Sequence, residues 1–214
     1  MRSSRPKQYL SLHGRLILDL AISGVIDTIE VAGSVVAVSP DDPWWAETRA
    51  SKDERVVCCA GGKERADSVL SGLHSLDSMA GDNDWVLVHD AARPCLHPDD
   101  LNRLVAQLKD HDVGGLLATP VTDTLKKTVS GTQHVQKTVD RSQLWRALTP
   151  QMFRYGILKS ALQASLSAGR PVTDEASAVE QSGYFPCIVE GRPDNIKITV
   201  PADLALADFV LSRF

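Results

Sequence analysis

The sequence predicts a single α/β domain, built on one mainly parallel sheet and carrying a protruding β-hairpin arm. Three observations predict it. Short apolar runs alternate with helix-period segments along the 214 residues. A polar turn, Ser130-Gly131-Thr132-Gln133, lies between the β-rich runs TLKKTV and HVQKTV and interrupts that alternation. No internal repeat or low-complexity linker divides the chain, so residues 1–214 read as one domain, with an arm at 122–141.

In chain order, residues 16–24 (LILDLAISG) place apolar side chains on one helical face, and SVVAVS at 34–39 reads as a buried strand. VVCCA at 56–60 is a second short strand, GGKERADSVLSGL is a glycine turn entering a helix, and WVLVHD at 85–90 is the next strand. Strand, helix and strand in that order form a parallel βαβ unit. Pro98 suits the first turn of a helix, Asp99 and Asp100 complement its positive start, and Leu101, Leu104, Val105 and Leu108 form its apolar stripe. GGLLATPV follows as a strand, then the hairpin arm. From Arg141 onward helices are expected to dominate, in LWRAL, in a longer segment near 155–168 and in TDEASAVEQSG. PCIVEG and IKITV then return as strands, and Pro201 opens a final helix.

Composition excludes several classes. A net charge of −4 and a pI near 5.8 argue against a general nucleic-acid binder, so a phosphorylated ligand must meet a local cluster of Lys and Arg. Cys58, Cys59, Cys95 and Cys187 lack paired metal-ligand spacing and read as reduced thiols. The six histidines, His13, His74, His89, His97, His111 and His134, show neither metal spacing nor a neighbouring nucleophile elbow. The opening MRSSRPKQYL has no apolar signal core, and no later run approaches the ~20 apolar residues that span a bilayer. A soluble cytoplasmic protein is expected.

Ligands of open α/β sheets collect beyond the carboxyl ends of the strands, which selects two segments. After VVCCA comes Gly61-Gly62-Lys63-Glu64-Arg65, with Ser68 near the helix start; the glycines allow close backbone approach to a ligand, and serve equally as a plain tight turn. After WVLV comes His89-Asp90-Ala91-Ala92-Arg93-Pro94. Asp90 suits a sugar hydroxyl or a magnesium-bound phosphate and Arg93 a phosphate, while a structural Asp–Arg pair capping the turn fits the same spacing. Lys7 and Lys197, far apart in sequence, would stabilise charge on a transferring phosphate if they converged; singly, each also reads as a solvated surface lysine.

The segments RPKQYL, GGKERADSV, VHDAARP, PVTDTLKK, TVDR, LWRALTPQ, VTDEASAVE and GRPDNIKIT occur here in one order and run through nearly the whole chain. In them the chain resembles the 2-C-methyl-D-erythritol 4-phosphate cytidylyltransferases of the non-mevalonate isoprenoid pathway. The resemblance implies a Rossmann-like sheet of the nucleotidyltransferase type. It also implies attack of the substrate phosphate on the α-phosphate of CTP, giving 4-diphosphocytidyl-2-C-methyl-D-erythritol and pyrophosphate. Magnesium is the implied ion, held through the CTP phosphates rather than by protein ligands. Lys7 would stabilise the transition state, while Gly62, Lys63 and Ser68 would line the cytosine pocket. Asp90 and Ala91 would lie near the ribose and the polyol hydroxyls, with Arg93, Thr149 and Thr173 completing the polyol pocket and Lys197 positioning the attacking phosphate. The resemblance further implies a homodimer whose arms cross to the other subunit, so that Thr124 and Arg141 bind the substrate phosphate in trans.

Family members carry a buried strand and a glycine-rich, arginine-bearing loop ahead of the PKQYL segment, whereas here only Met1 to Arg5 precede it. The resulting expectation is that the natural protein has ~20 further residues upstream, the span of one strand and its turn, and that the 214 residues alone lack the triphosphate loop and a central strand. Two rivals stand beside the main reading: a cytidylyltransferase acting on ribitol 5-phosphate, and a truncated, inactive dimerisation partner.

Overall fold

The computed structural model describes residues 5–213. Of the opening segment MRSSRPKQYL, residues 1–4 lie outside the described residues. A 3-10 turn at Lys7–Tyr9 leads to a small antiparallel hairpin, β1 (Ser11–Leu12) and β2 (Arg15–Leu16). Its two-residue turn places His13 at φ 50° and Gly14 at φ 69°, the left-handed pair that matches the twist of a tight hairpin.

Helix α1 (Ile17–Ile26) follows, then strands β3 (Ser34–Val38) and β4 (Val56–Ala60), which pair in parallel as an isolated ribbon. Helix α2 (Arg65–His74) starts with Asp67 reaching back to accept from the Glu64 N–H at 3.0 Å. Strand β5 (Trp85–Val88) leads to α3 (Pro98–Leu108), where Pro98 takes the first position and His97 accepts from the Asp99 N–H. Leu101, Leu104 and Leu108 are fully buried, as the apolar stripe of α3 predicts.

Strand β6 (Gly114–Pro120) is buried except at its end, and the arm follows as β7 (Leu125–Thr128) and β8 (Val135–Val139), antiparallel as expected. Next comes β9 (Trp145–Arg154), then α4 (Tyr155–Ser167), α5 (Glu175–Gln181), β10 (Cys187–Glu190) and α6 (Pro201–Leu211). The main sheet has the order β10-β6-β9-β5, with β10 and β6 parallel and β9 antiparallel to both neighbours.

Two segment assignments change. LWRAL is not helical; most of it belongs to β9, which fills the space between β6 and β5 with buried residues from Leu148 to Phe153. Being so placed, β9 also makes the main sheet mixed, and the parallel character lies in β3–β4 and β10–β6. IKITV forms no ladder; the Ile198 N–H donates to the Ala92 carbonyl at 2.8 Å. The strands β4 and β5 expected in one parallel βαβ unit belong to different sheets, β4 pairing with β3 and β5 with β9, while the α/β class, the other expected helices and the hairpin agree with the sequence reading.

One core cluster joins α2, β5, β6, β9, α4 and α5 through Ala66, Leu73, Val86, Leu116, Phe153, Leu158, Leu162 and Val179. Because α2 packs on β3, β4 and α4, it fixes the β3–β4 ribbon beside the main sheet. The carboxyl ends of β3, β4 and β5 thus meet at one edge. Among the described residues no helix is long and apolar enough to cross a membrane.

Candidate active site

The loop leaving β5 carries the centre of the site. His89, Asp90 and Thr149 form a chain in which the Asp90 N–H donates to Thr149 Oγ1 at 3.0 Å and the hydroxyl faces His89 Nδ1 at 2.9 Å. His89 Nε2 lies 3.0 Å from the Arg93 carbonyl, which can only accept, so the imidazole is the neutral Nε2–H tautomer and Nδ1 accepts from Thr149. Burial holds the imidazole down at about pKa 4, below its ordinary 6.5, in keeping with that tautomer.

Thr149 comes from a distortion of β9. Leu116 pairs with Gln151 and Ala118 with Ala147, so two steps along β6 span four along β9. Pro150 offers no N–H to the ladder at that point, and the bulge re-aims Thr149 beneath the Asp90 loop.

Cations converge on Asp90. Arg65 Nε lies 3.0 Å from Oδ1, while Lys197 Nζ lies 2.9 Å and Arg93 Nε 3.5 Å from Oδ2. Burial by itself would raise the Asp90 carboxyl, but Arg65 and Lys197 outweigh it and hold it at about 2. Desolvation lowers Arg93, which also donates to the Asn195 carbonyl at 2.7 Å. Asn195 in turn donates to the Thr149 carbonyl at 2.9 Å, so the loop that carries Lys197 is tied to both β9 and the Asp90 loop. Lys7 joins from the other end of the chain, donating to the Ile198 carbonyl at 2.8 Å, one residue beyond Lys197.

Next to this cluster lies a cavity of about 200 Å³, lined by the end of β3 from Val36 to Pro40 and by Gln8, Tyr9, Asp42, Gly61, Gly62, Ser68 and Ala91. Ser68 Oγ accepts from the Gly62 N–H at 3.0 Å and fixes the turn. A Cβ at Gly62 would sit 2.2 Å from Asp67 Cβ, so only glycine allows the turn to pack on the start of α2. A larger surface recess, about 490 Å³, lies between Arg103, Gln107 and Arg192. Its arginines are already engaged with Asp100 and Asp194.

The structure therefore brings together Lys7, Asp90, Arg93, Thr149 and Lys197, and places Gly62, Ser68 and Ala91 along the adjoining cavity. Thr149 is buried and its hydroxyl is engaged within the protein. Lys63 is exposed and does not line the cavity; Thr173 is exposed just ahead of α5, its N–H on Ser177 Oγ. Thr124 and Arg141 sit at the base of the arm, where Arg141 donates to the Thr122 carbonyl; within the described chain neither bonds to the Asp90 cluster. Two participants were not singled out from the sequence. Arg65 bridges Asp90 and Glu175, and Tyr9, buried at the cavity, donates to Asp42 at 2.8 Å. Glu175 looks in sequence like an ordinary first-turn helix acid, and nothing in the spacing announces that a residue 110 positions away meets it.

A cluster of lysines and arginines about Asp90 at the carboxyl ends of strands, beside a small cavity with a glycine turn, suits an α/β enzyme that handles a phosphorylated ligand. The comparisons narrow this class. Residues 1–213 match the family described as 2-C-methyl-D-erythritol 4-phosphate cytidylyltransferase. Enzymes of that name from Ectopseudomonas mendocina and Vibrio vulnificus are 53% and 49% identical, covering 96% and 100% of this chain and 87% and 90% of their own. The crystal structure of the Francisella tularensis enzyme of that name superposes with a TM-score of 0.84 at 37% identity, over 96% of this chain and 93% of its own. The chain belongs to the 2-C-methyl-D-erythritol 4-phosphate cytidylyltransferase family.

Proposed function

We propose that this protein transfers CMP from CTP to 2-C-methyl-D-erythritol 4-phosphate in isoprenoid precursor biosynthesis. The observation that carries the reading is the convergence of Lys197, Arg93 and Arg65 about Asp90, with Lys7 tied to the Ile198 carbonyl next to Lys197, in a chain matched to that family from residue 1 to 213. A substrate phosphate oxygen attacks the α-phosphorus of CTP in line; the new P–O bond forms as the bond to the β-phosphate oxygen breaks, and pyrophosphate leaves. The lysines offset negative charge spread over the equatorial oxygens. Asp90 orients Lys197 and, with Arg93, faces the hydroxyls of ribose and polyol. The cavity lined by Gly62, Ser68 and Ala91 takes the pyrimidine, with backbone groups reading its edge. Thr173 completes the polyol side.

Magnesium fits this site on the nucleotide rather than in a protein cage. Among the described residues no three His, Cys, Asp or Glu side chains converge, and both oxygens of Asp90 already face cations. Carried by the triphosphate, the ion would neutralise charge on the leaving pyrophosphate. The protein is further proposed to act in the cytoplasm as a homodimer, the arm delivering Thr124 and Arg141 to the partner's substrate phosphate. Support for this comes from the arm itself: β7 is exposed throughout, and Leu125, Val129 and Val135 remain open to solvent in the single chain.

The test is pyrophosphate release with magnesium and CTP, with 2-C-methyl-D-erythritol 4-phosphate or ribitol 5-phosphate as acceptor. Turnover with the first and little with the second supports the reading. Preference for ribitol 5-phosphate moves the assignment to the rival cytidylyltransferase, and turnover with neither, in a chain that binds no CTP, moves it to the inactive dimerisation partner.

A further inference from the structure

Arg65 is the first residue of α2, directly after the glycine turn, and its guanidinium spans two carboxylates from distant elements. Two of its nitrogens grip Glu175, at 2.5 Å to Oε1 and 3.0 Å to Oε2, while Nε takes Asp90 Oδ1 at 3.0 Å. Glu175 is only 1% exposed, and its surroundings are fixed: Ala176 N–H donates to Gln151 Oε1 at 2.8 Å, and Gln151 donates to Asp174 Oδ2 at 2.9 Å. The fork is thus anchored at one end to the rigid start of α5. Its other end decides how Asp90 stands. With Oδ1 occupied by Arg65, Oδ2 is the oxygen left for Lys197 at 2.9 Å and Arg93 at 3.5 Å.

We propose that Arg65 is a positioning residue for CMP transfer: clamped on Glu175, it fixes the rotamer of Asp90 and, through Asp90, the place of the Lys197 ammonium. This rests on the cytidylyltransferase reading and deepens it. The fork also couples the turn beside the nucleotide cavity to the helix start next to Thr173, so the two substrate sides share one rigid reference. Lysine does not replace the arginine here. A point charge on a flexible stem satisfies one carboxylate at a time, whereas the planar fork holds both.

The bland alternative is that Arg65 only neutralises a buried glutamate. Removing Arg65 alone strands the Glu175 charge and threatens folding, whereas removing both partners of a buried pair is far better tolerated. The decisive variant is therefore Arg65→Gln with Glu175→Gln, which has no stranded charge but leaves Asp90 Oδ1 unheld. The first readout needs no turnover: acylation of Lys197 by a water-soluble amine reagent, followed by mass spectrometry. Lys197 is expected to react several-fold faster in the double variant than in the wild type, and an unchanged rate overturns the proposal. The second readout is steady-state kinetics. A drop in kcat of roughly 10- to 100-fold with KM for CTP nearly unchanged is expected, as is Arg65→Lys failing to restore it. Wild-type kcat in the double variant overturns the positioning role. A wild-type protein without turnover counts against the cytidylyltransferase reading instead, and leaves the Lys197 labelling to decide the role of Arg65.

Discussion

Thr149 satisfies two partners at once, accepting from the Asp90 N–H and donating to His89, and it is 4% exposed. Thr149→Val keeps the shape and strands both groups, which costs on the order of 2–3 kcal/mol; Thr149→Ser keeps the hydroxyl and stays near wild type. Urea unfolding of the two variants checks this contrast. The same chain sets an acid limit. The folded-state pKa of His89 is depressed from 6.5 to about 4, so its neutral form contributes stability in full above pH 6.5, lost as pH falls through 4. Asp90 is depressed from 3.8 to about 2, so its contribution is lost only below about pH 4. The unfolding midpoint is therefore expected to fall between pH 6.5 and 4, and His89→Gln to flatten that interval; an equally steep fall in the variant contradicts the assignment. At this scale the sequence showed a carboxylate and a guanidinium three residues apart at a strand end. It did not show which nitrogen meets which oxygen, because those partners are brought in by α2, β9 and the loop at 195–198.

Helices α2, α3 and α6 were legible from their starts: the glycine turn ahead of α2, Pro98 and the aspartates of α3, Pro201 of α6. LWRAL was not, since a run of about five apolar-rich residues fits either period, and its fate was decided by burial between β6 and β5. IKITV alternates like a strand, yet its hydrogen bond goes to the Ala92 carbonyl of a loop. The arm was legible from its turn and its two matching flanks. Its proposed dimer role predicts that Val135→Lys with Leu125→Lys shifts the protein to monomer in sedimentation experiments while the unfolding midpoint of the monomeric core stays put. A dimer that survives both charges at low micromolar concentration would place the interface elsewhere.

Across the whole molecule, the net charge of −4 conceals a cationic focus. Arg65, Arg93 and Lys197 gather at one edge against Asp90 and Glu175, with Lys7 on the Ile198 carbonyl beside them, which suits a polyanionic ligand in an otherwise acidic protein. That edge is held by the cluster under α2, β9 and α4. Phe153, fully buried in its midst, is expected to cost about 3–5 kcal/mol on replacement by alanine, read from denaturant unfolding, with activity per folded molecule retained. The α/β class could be read in advance because alternation is a property of sequence, whereas the mixed order of the sheet follows from where β9 inserts, which is a property of packing. The most direct test compares the wild type with Lys197→Ala for pyrophosphate release from CTP and 2-C-methyl-D-erythritol 4-phosphate, with CTP affinity measured in parallel. Turnover that depends on both substrates, falling by roughly 100-fold or more in the variant while CTP binding is largely kept, is the predicted result. Equal turnover in the two proteins, or release that ignores the polyol phosphate, would contradict the site described for this chain.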